Sequence, residues 1–295
     1  MSQIFNSLLV NATEMTKKAY ENKYAIPHIN INNLEWAKTV LLTADRARSP
    51  IIIATSAGAI KYMGGYQTVV RMVTGLIEDL KISIPVALHL DHGTYDACKL
   101  ALAAGFSSIM FDGSHLDFAD NLEKAKEIVA QAQSMNVSVE VEVGTIGGEE
   151  DGVSADGELA DLNQCVEIGK LNISMLAAGI GNIHGVYPQG WSGLNFEVLS
   201  EISQAVQKPM VLHGGSGIPD NQIKKAISLG IAKINVNTEL QLAFADAVSK
   251  YVISGKANDM VKKGFDPRKL LNDGIIAMEK VILDKIKLFG SANKA

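Results

Sequence analysis

The sequence predicts an α/β protein with the (β/α)8 TIM-barrel fold, and three observations lead to this prediction. Short apolar runs alternate with longer amphipathic segments along the chain. Eight such strand–helix units follow one another with short connections, which is typical of a parallel sheet. A chain of 295 residues is long enough for one closed barrel. The alternative is a doubly wound open sheet, but the chain lacks the Gly-x-Gly-x-x-Gly turn expected after its first strand.

Each predicted strand is a short apolar run, mostly rich in Val and Ile, that ends at a polar or glycine-containing turn. In chain order the predicted strands span residues 24–31, 51–54, 85–90, 108–111, 137–143, 174–180, 209–212 and 231–236. The predicted helices have apolar residues at helical spacing and span residues 3–22, 34–46, 67–80, 94–104, 117–135, 162–171, 196–206, 220–229, 238–253 and 267–288.

Three connecting segments need separate comment. Residues 57–65 and 147–157 are predicted to be loops, and Asp117 is a candidate N-cap for the helix that follows the fourth strand. The segment 255–275 is expected to extend beyond the barrel toward a neighbouring subunit. Because no Pro-, Gly- or Ser-rich linker divides the chain, we expect one barrel domain over residues 1–295, with extra helices at both ends.

Composition restricts the class of protein. Apolar residues make up 47% of the chain and charged residues 20%, and the net charge is −5. This balance is typical of a soluble globular protein and argues against nucleic acid or an anionic membrane as the main partner. No secretory signal or membrane-length apolar run is evident, and the two cysteines lack metal-binding spacing, so we expect a cytoplasmic protein with reduced thiols.

Polar side chains with chemical potential recur where the predicted strands end. Because the carboxyl ends of barrel strands meet at one mouth, these side chains should lie together. They are Ser56, Asp91, His92, Asp112, Glu142, His184, His213 and Asn235.

Three of these residues are histidines, and three imidazoles are a common ligand set for catalytic Zn²⁺. A single strand-end histidine more often bonds a backbone group, but three at equivalent positions favour a metal site. Asp112 and Glu142 could form a second metal position or orient the histidines, and Asp112 could instead cap a helix. Glu140 shares the inward face with Glu142, so its charge must be paired or coordinated.

Two loops near the carboxyl end of the predicted barrel are suited to phosphate. Residues 214–217 (GGSG) and 235–238 (NVNT) each lie between a strand and a helix, where amide groups can cradle an anion. The acidic loop at residues 147–152 is either a solvated connection or a lid that carries a carboxylate base.

These motifs together resemble the class II, metal-dependent fructose-bisphosphate aldolases, and the resemblance covers nearly the whole chain. It rests on residues 89–93 (HLDHG), 112–115 (DGSH), 142–144 (EVG), 147–152, 181–185 (GNIHG), 213–217 (HGGSG), 235–238 (NVNT) and 266–269 (DPRK). The family cleaves fructose 1,6-bisphosphate reversibly into dihydroxyacetone phosphate and glyceraldehyde 3-phosphate.

The resemblance implies a role for each matching residue. A catalytic Zn²⁺ would be held by His92, His184 and His213, and a second divalent ion by Asp112 and Glu142. Asp91 would be the acid/base for the C4 hydroxyl, and Glu150 would exchange the proton of the triose. The ketose-side phosphate and hydroxyls would be held by Ser56, Gly185, Gly214, Gly215, Ser216, Asn235, Val236, Asn237 and Thr238. Arg268 would reach the other phosphate in a partner subunit, within a homodimer or homotetramer. The family also allows a monovalent cation.

Four rival readings remain open at this stage. Tagatose-bisphosphate aldolase is a close relative, although loops 214–217 and 235–238 look more like the fructose enzymes. A metal-dependent hydrolase would need no phosphate cradles. A Schiff-base aldolase would use Lys233 as its nucleophile. A catalytically silent barrel should have lost Asp91 or a histidine ligand, and this chain keeps them.

Overall fold

Eight parallel strands close into a barrel in the computed structural model, which describes residues 8–150 and 153–295. The strands are β1 Ile26–Asn30, β2 Ile51–Thr55, β3 Val86–Gly93, β4 Ser108–Phe111, β5 Ser138–Val143, β6 Gly147–Glu150, β7 Val153–Ala155, β8 Met175–Ala178, β9 Ile183–His184, β10 Met210–Leu212 and β11 Ile231–Val236. Neighbours around the barrel run β1-β11-β10-β8-β5-β4-β3-β2, which confirms the predicted fold. A second sheet of three short strands has the order β7-β6-β9.

Helices follow the barrel strands and pack around them. In the described part of the chain they are α1 Thr13–Glu21, α2 Leu34–Arg46, α3 Ala57–Tyr62, α4 Tyr66–Asp79, α5 Tyr95–Ala104, α6 Phe118–Ser134, α7 Leu162–Gly169, α8 Phe196–Val206, α9 Asp220–Ser228, α10 Thr238–Ile253, α11 Pro267–Leu270 and α12 Asn272–Phe289. None of these is long and apolar enough to cross a bilayer.

The amino end of the barrel is closed by the segment that leads into α1. Val10 N–H donates to the Val86 carbonyl at the start of β3, at 2.9 Å. Ala12 N–H donates to Ser138 Oγ at the start of β5, at 3.1 Å. Met15 on α1 is buried in a cluster with strand residues such as Val211. The polar opening therefore lies at the other end, where the strands finish.

The helices differ from the sequence prediction by more than one or two residues at three places, and one predicted cap is not formed. The first helix, predicted over residues 3–22, begins at Thr13 among the described residues, because the amides of Val10 and Ala12 bond the starts of β3 and β5 instead of a helical turn. Part of the loop predicted at 57–65 forms α3, whose first turn is capped by Ser56. The helix predicted at 267–288 is interrupted at Leu271. Asp117 precedes α6, but its side chain makes no capping hydrogen bond.

The prediction of a polar loop at residues 147–157 is wrong, because much of this segment forms strands. Strands β6 and β7 pair antiparallel within this segment, and β6 also pairs with β9 in parallel. Residues 151 and 152 lie outside the described residues, as does the side chain of Glu150. The composition concealed the hairpin, because β6 consists of glycine and glutamate and only Val153 in β7 is of the β-branched type that usually marks a strand.

Candidate active site

The end of β3 turns two neighbouring side chains toward the same opening. In a regular strand, Asp91 and His92 would point to opposite faces of the sheet. The pairing of β3 with β4 shifts register between Leu90 and Gly93, and His92 has a left-handed backbone with a φ of 46°. Such an irregularity re-aims side chains and costs on the order of 1–3 kcal/mol of local strain. The strained residue, His92, therefore lies at the polar end of β3.

Three imidazoles converge above this point. His92 Nε2 lies 3.0 Å from His213 Nδ1, and the ring centroids of His92 and His184 are 4.9 Å apart. One nitrogen from each of the three histidines lies within 4.8 Å of the others. His184 Nε2 is buried and has no hydrogen-bond partner. A tetrahedral ion with bonds of about 2.0–2.1 Å needs nitrogens roughly 3.3 Å apart, so the three residues fit a divalent ion.

His184 reaches this cluster from an unexpected element. The sequence placed it at the end of the sixth barrel strand, but that strand, β8, ends at Ala178. His184 instead belongs to β9, which pairs with the hairpin strand β6 through Gly148. A Cβ at Gly148 would overlap the carbonyl oxygen of His184, and the Gly148 φ is 89°. Only glycine lets the two backbones approach so closely.

Two carboxylates lie on the far side of His92. Its Nδ1–H donates to Asp112 Oδ2 at 2.7 Å, and Glu142 Oε2 lies 3.9 Å from the same nitrogen. Burial lowers the pKa of His92, but the bond to Asp112 and the charges of Asp91 and Glu142 outweigh it and raise the pKa to about 10. Asp112 also accepts bonds from Ser114, so it does not cap a helix.

Glu142 has the opposite electrostatic environment. Burial first, and then the charge of Asp112, raise its pKa well above the ordinary value. Its Oε2 is buried without a hydrogen-bond partner. His92, Asp112 and Glu142 offer one ligand atom each within 4.8 Å of one another. A cation shared by these three residues would relieve the buried carboxylate, so they could hold a second ion.

His213 is oriented from below by a buried ion pair. Its Nε2–H donates to Glu140 Oε1 at 2.8 Å, and the Lys233 ammonium donates to Glu140 Oε2 at 2.7 Å. Burial raises the pKa of Glu140, but Lys233 and His213 outweigh it and hold the carboxyl ionised. The inward charge of Glu140 is thus paired, as the sequence required. The Lys233 ammonium is engaged in this pair and does not line the cleft, which counts against its use as a Schiff-base nucleophile.

Asp91 is held by two amides. Asn30 Nδ2 donates to Asp91 Oδ2 at 2.8 Å, and Asn235 Nδ2 donates to Oδ1 at 3.2 Å. Beneath them, His28 Nε2 donates to Asn30 Oδ1 at 3.0 Å. Burial favours protonation of Asp91, yet His28, His92 and His213 hold its pKa well below the ordinary value. The carboxylate is therefore ionised, fixed in position and able to accept a proton.

Asn30 and His28 were not among the site residues predicted from the sequence. Both lie on β1 and both are buried, and His28 and Asn30 share one face of the strand. Two polar residues on the buried face of an apolar strand are the signal that could have found them. His28, His89 and Asp91 also have ligand atoms within 4.8 Å of one another. Burial and then the nearby charge of Lys233 lower the pKa of both histidines, and that same charge disfavours a cation there.

A cleft of about 340 Å³ is lined by Ser56, Glu149 and Thr238 among others. A smaller pocket of about 20 Å³ shares Gly185, Asn237 and Thr238 with this cleft and reaches Asp91 and His184, so the cleft continues toward the histidines. The N-terminus of α10 faces the cleft through Thr238, so the positive end of the helix dipole favours an anion there. The substrate residues predicted from sequence that line the cleft are Ser56, Gly185, Gly214, Ser216, Asn235, Asn237 and Thr238.

Three predicted substrate residues are placed differently. Gly215 N–H donates to the Asn235 carbonyl at 2.8 Å, so this amide is already used. Val236 is fully buried in β11. Arg268 lies on α11, where its guanidinium bonds Asp266, beside a groove that borders α2 and α12 rather than the cleft. The structure does not bring Arg268 to the histidines of its own chain.

Comparison with known proteins agrees with this geometry. The family model described as "Fructose-bisphosphate aldolase class-II" matches residues 10–294. A protein named fructose-bisphosphate aldolase from Mycoplasma genitalium is 59% identical, over 98% of this chain and 100% of its own length. One from Streptococcus pyogenes serotype M1 is 49% identical, over 97% and 99%. The crystal structure of the YdjI aldolase from Escherichia coli K12 has a TM-score of 0.80 and 33% identity, over 97% and 99%.

Proposed function

The chain belongs to the class II fructose-bisphosphate aldolase family, and on that premise we propose which of its residues carry out each part of the reaction. The chain is a lyase of glycolysis that acts on a phosphorylated sugar and depends on a divalent metal ion. It cleaves fructose 1,6-bisphosphate reversibly into dihydroxyacetone phosphate and glyceraldehyde 3-phosphate.

We assign the catalytic ion to His92, His184 and His213 and propose that it is Zn²⁺. Three imidazole ligands with an open fourth position are the arrangement that catalytic zinc sites use. The ion supplies a Lewis acid for the negative charge that develops on substrate oxygens when the C3–C4 bond breaks. The orphaned nitrogen of His184 is the observation that supports this assignment most directly. Asp112 and Glu142 are assigned to a second divalent position.

Asp91 is the proposed acid/base for the C4 hydroxyl. Its carboxylate accepts the hydroxyl proton during cleavage and returns it during condensation. Asn30 and Asn235 hold both of its oxygens, so the base does not have to be ordered when substrate arrives. Glu150, at the end of β6, is proposed to exchange the proton of the triose from the hairpin that covers the cleft.

The ketose-side phosphate is proposed to lie at the start of α10. Gly185, Gly214, Asn237 and Thr238 border this part of the cleft, and Ser216 Oγ accepts the Glu239 amide of the first turn. Gly215 would contribute by its missing side chain, because a Cβ there would meet Ile234 and Asn235. The remaining assignments are Ser56 and Asn235, which line the cleft, and Val236, which is buried behind it in β11.

Assembly and location are also proposals. Arg268 would meet the other phosphate only in a partner subunit, which supports a homodimer or homotetramer. Exposed apolar side chains after α10, such as Val261 at 93% exposure, are consistent with burial in an assembly. We propose a single domain over residues 1–295 and a cytoplasmic location, in keeping with the glycolytic substrate. We propose no nucleic acid or membrane partner, and leave room for a monovalent cation.

A coupled cleavage assay tests the proposed function. Purified protein should release triose phosphate from fructose 1,6-bisphosphate, lose activity in EDTA and regain it with Zn²⁺. A matched assay with tagatose 1,6-bisphosphate measures the preference for the C4 epimer. Release of inorganic phosphate without triose phosphate would indicate a hydrolase, and activity that resists EDTA would remove the metal from the mechanism.

A further inference from the structure

Two segments that carry proposed metal ligands are in direct backbone contact. Strand β9 ends in His184, and the turn after β10 begins with His213 and Gly214. A Cβ at Gly214 would overlap the carbonyl oxygen of Ile183, and Gly214 has a φ of 64°. The two segments do not belong to the same sheet. Their spacing must therefore be set by contacts other than a strand ladder.

The hydroxyl of Tyr187 bridges these two segments. It accepts a hydrogen bond from Ile183 N–H at 3.1 Å and donates one to the Gly214 carbonyl at 2.8 Å. One atom thus ties the residue before His184 to the residue after His213. The Tyr187 ring packs against Trp191 with centroids 4.2 Å apart, and Trp191 Nε1 donates to the Gly181 carbonyl at 2.8 Å. Packing of this kind fixes where the hydroxyl lies.

Asn182 forms a second tie between the same segments. Its Nδ2 donates to the His213 carbonyl at 3.1 Å, and its Oδ1 accepts from Ile180 N–H at 3.0 Å. Asn182 is buried, so these bonds are shielded from water. The side chains of Asn182 and Tyr187 thus form hydrogen bonds with backbone groups in the two segments that carry His184 and His213.

We propose that Tyr187 is a positioning residue for the metal centre, whose hydroxyl sets the spacing between His184 and His213. This inference rests on the proposed role of the three histidines as ligands of one ion. Groups that orient metal ligands without touching the metal typically change metal affinity by roughly 10- to 100-fold when removed. Tyr187 meets that description, because its hydroxyl acts on both ligand segments through the backbone.

The test replaces Tyr187 with phenylalanine and uses Co²⁺ as the probe. Tyr187→Phe removes the bridging oxygen and retains the ring that packs on Trp191. We expect the affinity for Co²⁺, measured by chelator competition on the full chain, to fall about tenfold or more. The visible absorption bands of bound Co²⁺ should also change, because they report ligand geometry. The matched control is Tyr251→Phe, which removes a hydroxyl that donates to the Gly264 carbonyl at 3.0 Å.

The outcomes separate this inference from the proposed function. Unchanged Co²⁺ affinity and spectrum in Tyr187→Phe would overturn the positioning role while leaving the three-histidine site intact. A second result would also overturn it. If Tyr187→Phe lowers both the Co²⁺ affinity and the thermal stability of the metal-free protein, and Tyr251→Phe lowers neither, the Tyr187 hydroxyl stabilises the fold as a whole. Failure of the unmodified chain to bind Co²⁺ at all would instead contradict the proposed metal site.

Discussion

Two histidines of the proposed metal site, His92 and His213, each bond a different carboxylate, and that bond determines which ring nitrogen is left for an ion. His92 uses Nδ1 to bond Asp112, which leaves Nε2 facing the site. His213 uses Nε2 to bond Glu140, which leaves Nδ1. Carboxylates that fix the tautomer in this way also make the imidazole a stronger ligand. The two rings therefore present different nitrogens, Nε2 of His92 and Nδ1 of His213, to the same point.

Replacement of the proposed base gives the first prediction. Asp91→Asn keeps the size of the side chain but cannot accept the C4 hydroxyl proton. We expect kcat to fall by at least about 100-fold in the coupled assay. Metal content, measured on the purified variant, should stay at the level of the unmodified protein. A variant with normal kcat would show that Asp91 is not the base.

The buried pair beneath His213 gives a prediction about stability. Glu140→Gln would leave the Lys233 ammonium buried without a negative partner. We expect the free energy of unfolding of the metal-free protein, measured in urea, to fall by about 3–5 kcal/mol. The control Glu279→Gln breaks an exposed pair with Arg46 and should cost about 1 kcal/mol or less. Equal losses in the two variants would argue against a special role for the buried pair.

The two cysteines allow a prediction about reactivity. Both are buried and free, as the sequence predicted. Burial raises the pKa of Cys98 above its ordinary value and that of Cys165 to about 12. Since the thiolate is the reactive form, very little of either residue can react at pH 8. A chromogenic disulfide reagent should label both thiols in denaturant and neither in the folded protein within minutes, and rapid labelling of the folded protein would contradict the burial.

At the scale of elements, the hairpin of β6 and β7 is joined to a metal-ligand segment. Strand β6 pairs with β9, so the element that carries Glu150 is hydrogen-bonded to the element that carries His184. Movement of the hairpin would therefore displace His184 at the proposed metal site. Gly148 is the residue that allows this pairing, since any side chain there would meet the His184 carbonyl.

Gly148→Ala tests that coupling. Added bulk should push β9 away from its position, and we expect weaker divalent-metal binding by tenfold or more together with lower kcat. Gly255→Ala is the matched control: Gly255 has a φ of 77° and open space around it, so it shares the backbone strain without the overlap. Chelator competition on both variants gives the comparison. Similar metal affinities for the two would show that hairpin pairing does not reach His184.

The same elements show why sequence reasoning succeeded in some places and not in others. Strands such as β11 were predicted to their ends because an apolar run bounded by turn residues specifies a buried strand locally. Strand β9 has two residues and exists only because β6 lies beside it. No local pattern encodes such a contact. His184 was therefore predicted as a ligand from its type and motif while its structural element was missed.

At the scale of the whole molecule, the interior of the barrel is unusually polar near its mouth. His28, His89, Glu140 and Lys233 are all fully buried there and bond or pair with one another or with site residues. The alternation of side chains along a strand predicts which of them point inward. For Glu140 it also predicted that the buried charge needs a partner of opposite charge or a metal ion. It could not predict which partner, because that depends on how far neighbouring strands are staggered.

Assembly gives the last prediction. Ile253, Met260, Val261 and Phe265 are between 51% and 93% exposed in the single chain. We expect light scattering to show a dimer or tetramer, and the double variant Ile253→Glu/Val261→Glu to shift it toward monomer. Leu100→Glu, at a 55% exposed position on α5, is the control and should leave assembly unchanged. A monomeric unmodified protein would contradict the proposal.

Closure of the barrel by the segment before α1 has a practical consequence. Residue Val10 bonds the beginning of β3, and the tail at Asn293 and Lys294 bonds the carbonyls of Ala47 and Arg48, just ahead of β2. Both segments lie where strands begin, opposite the cleft. A fluorescent reporter or a solid support joined through the tail would consequently leave substrate entry unobstructed.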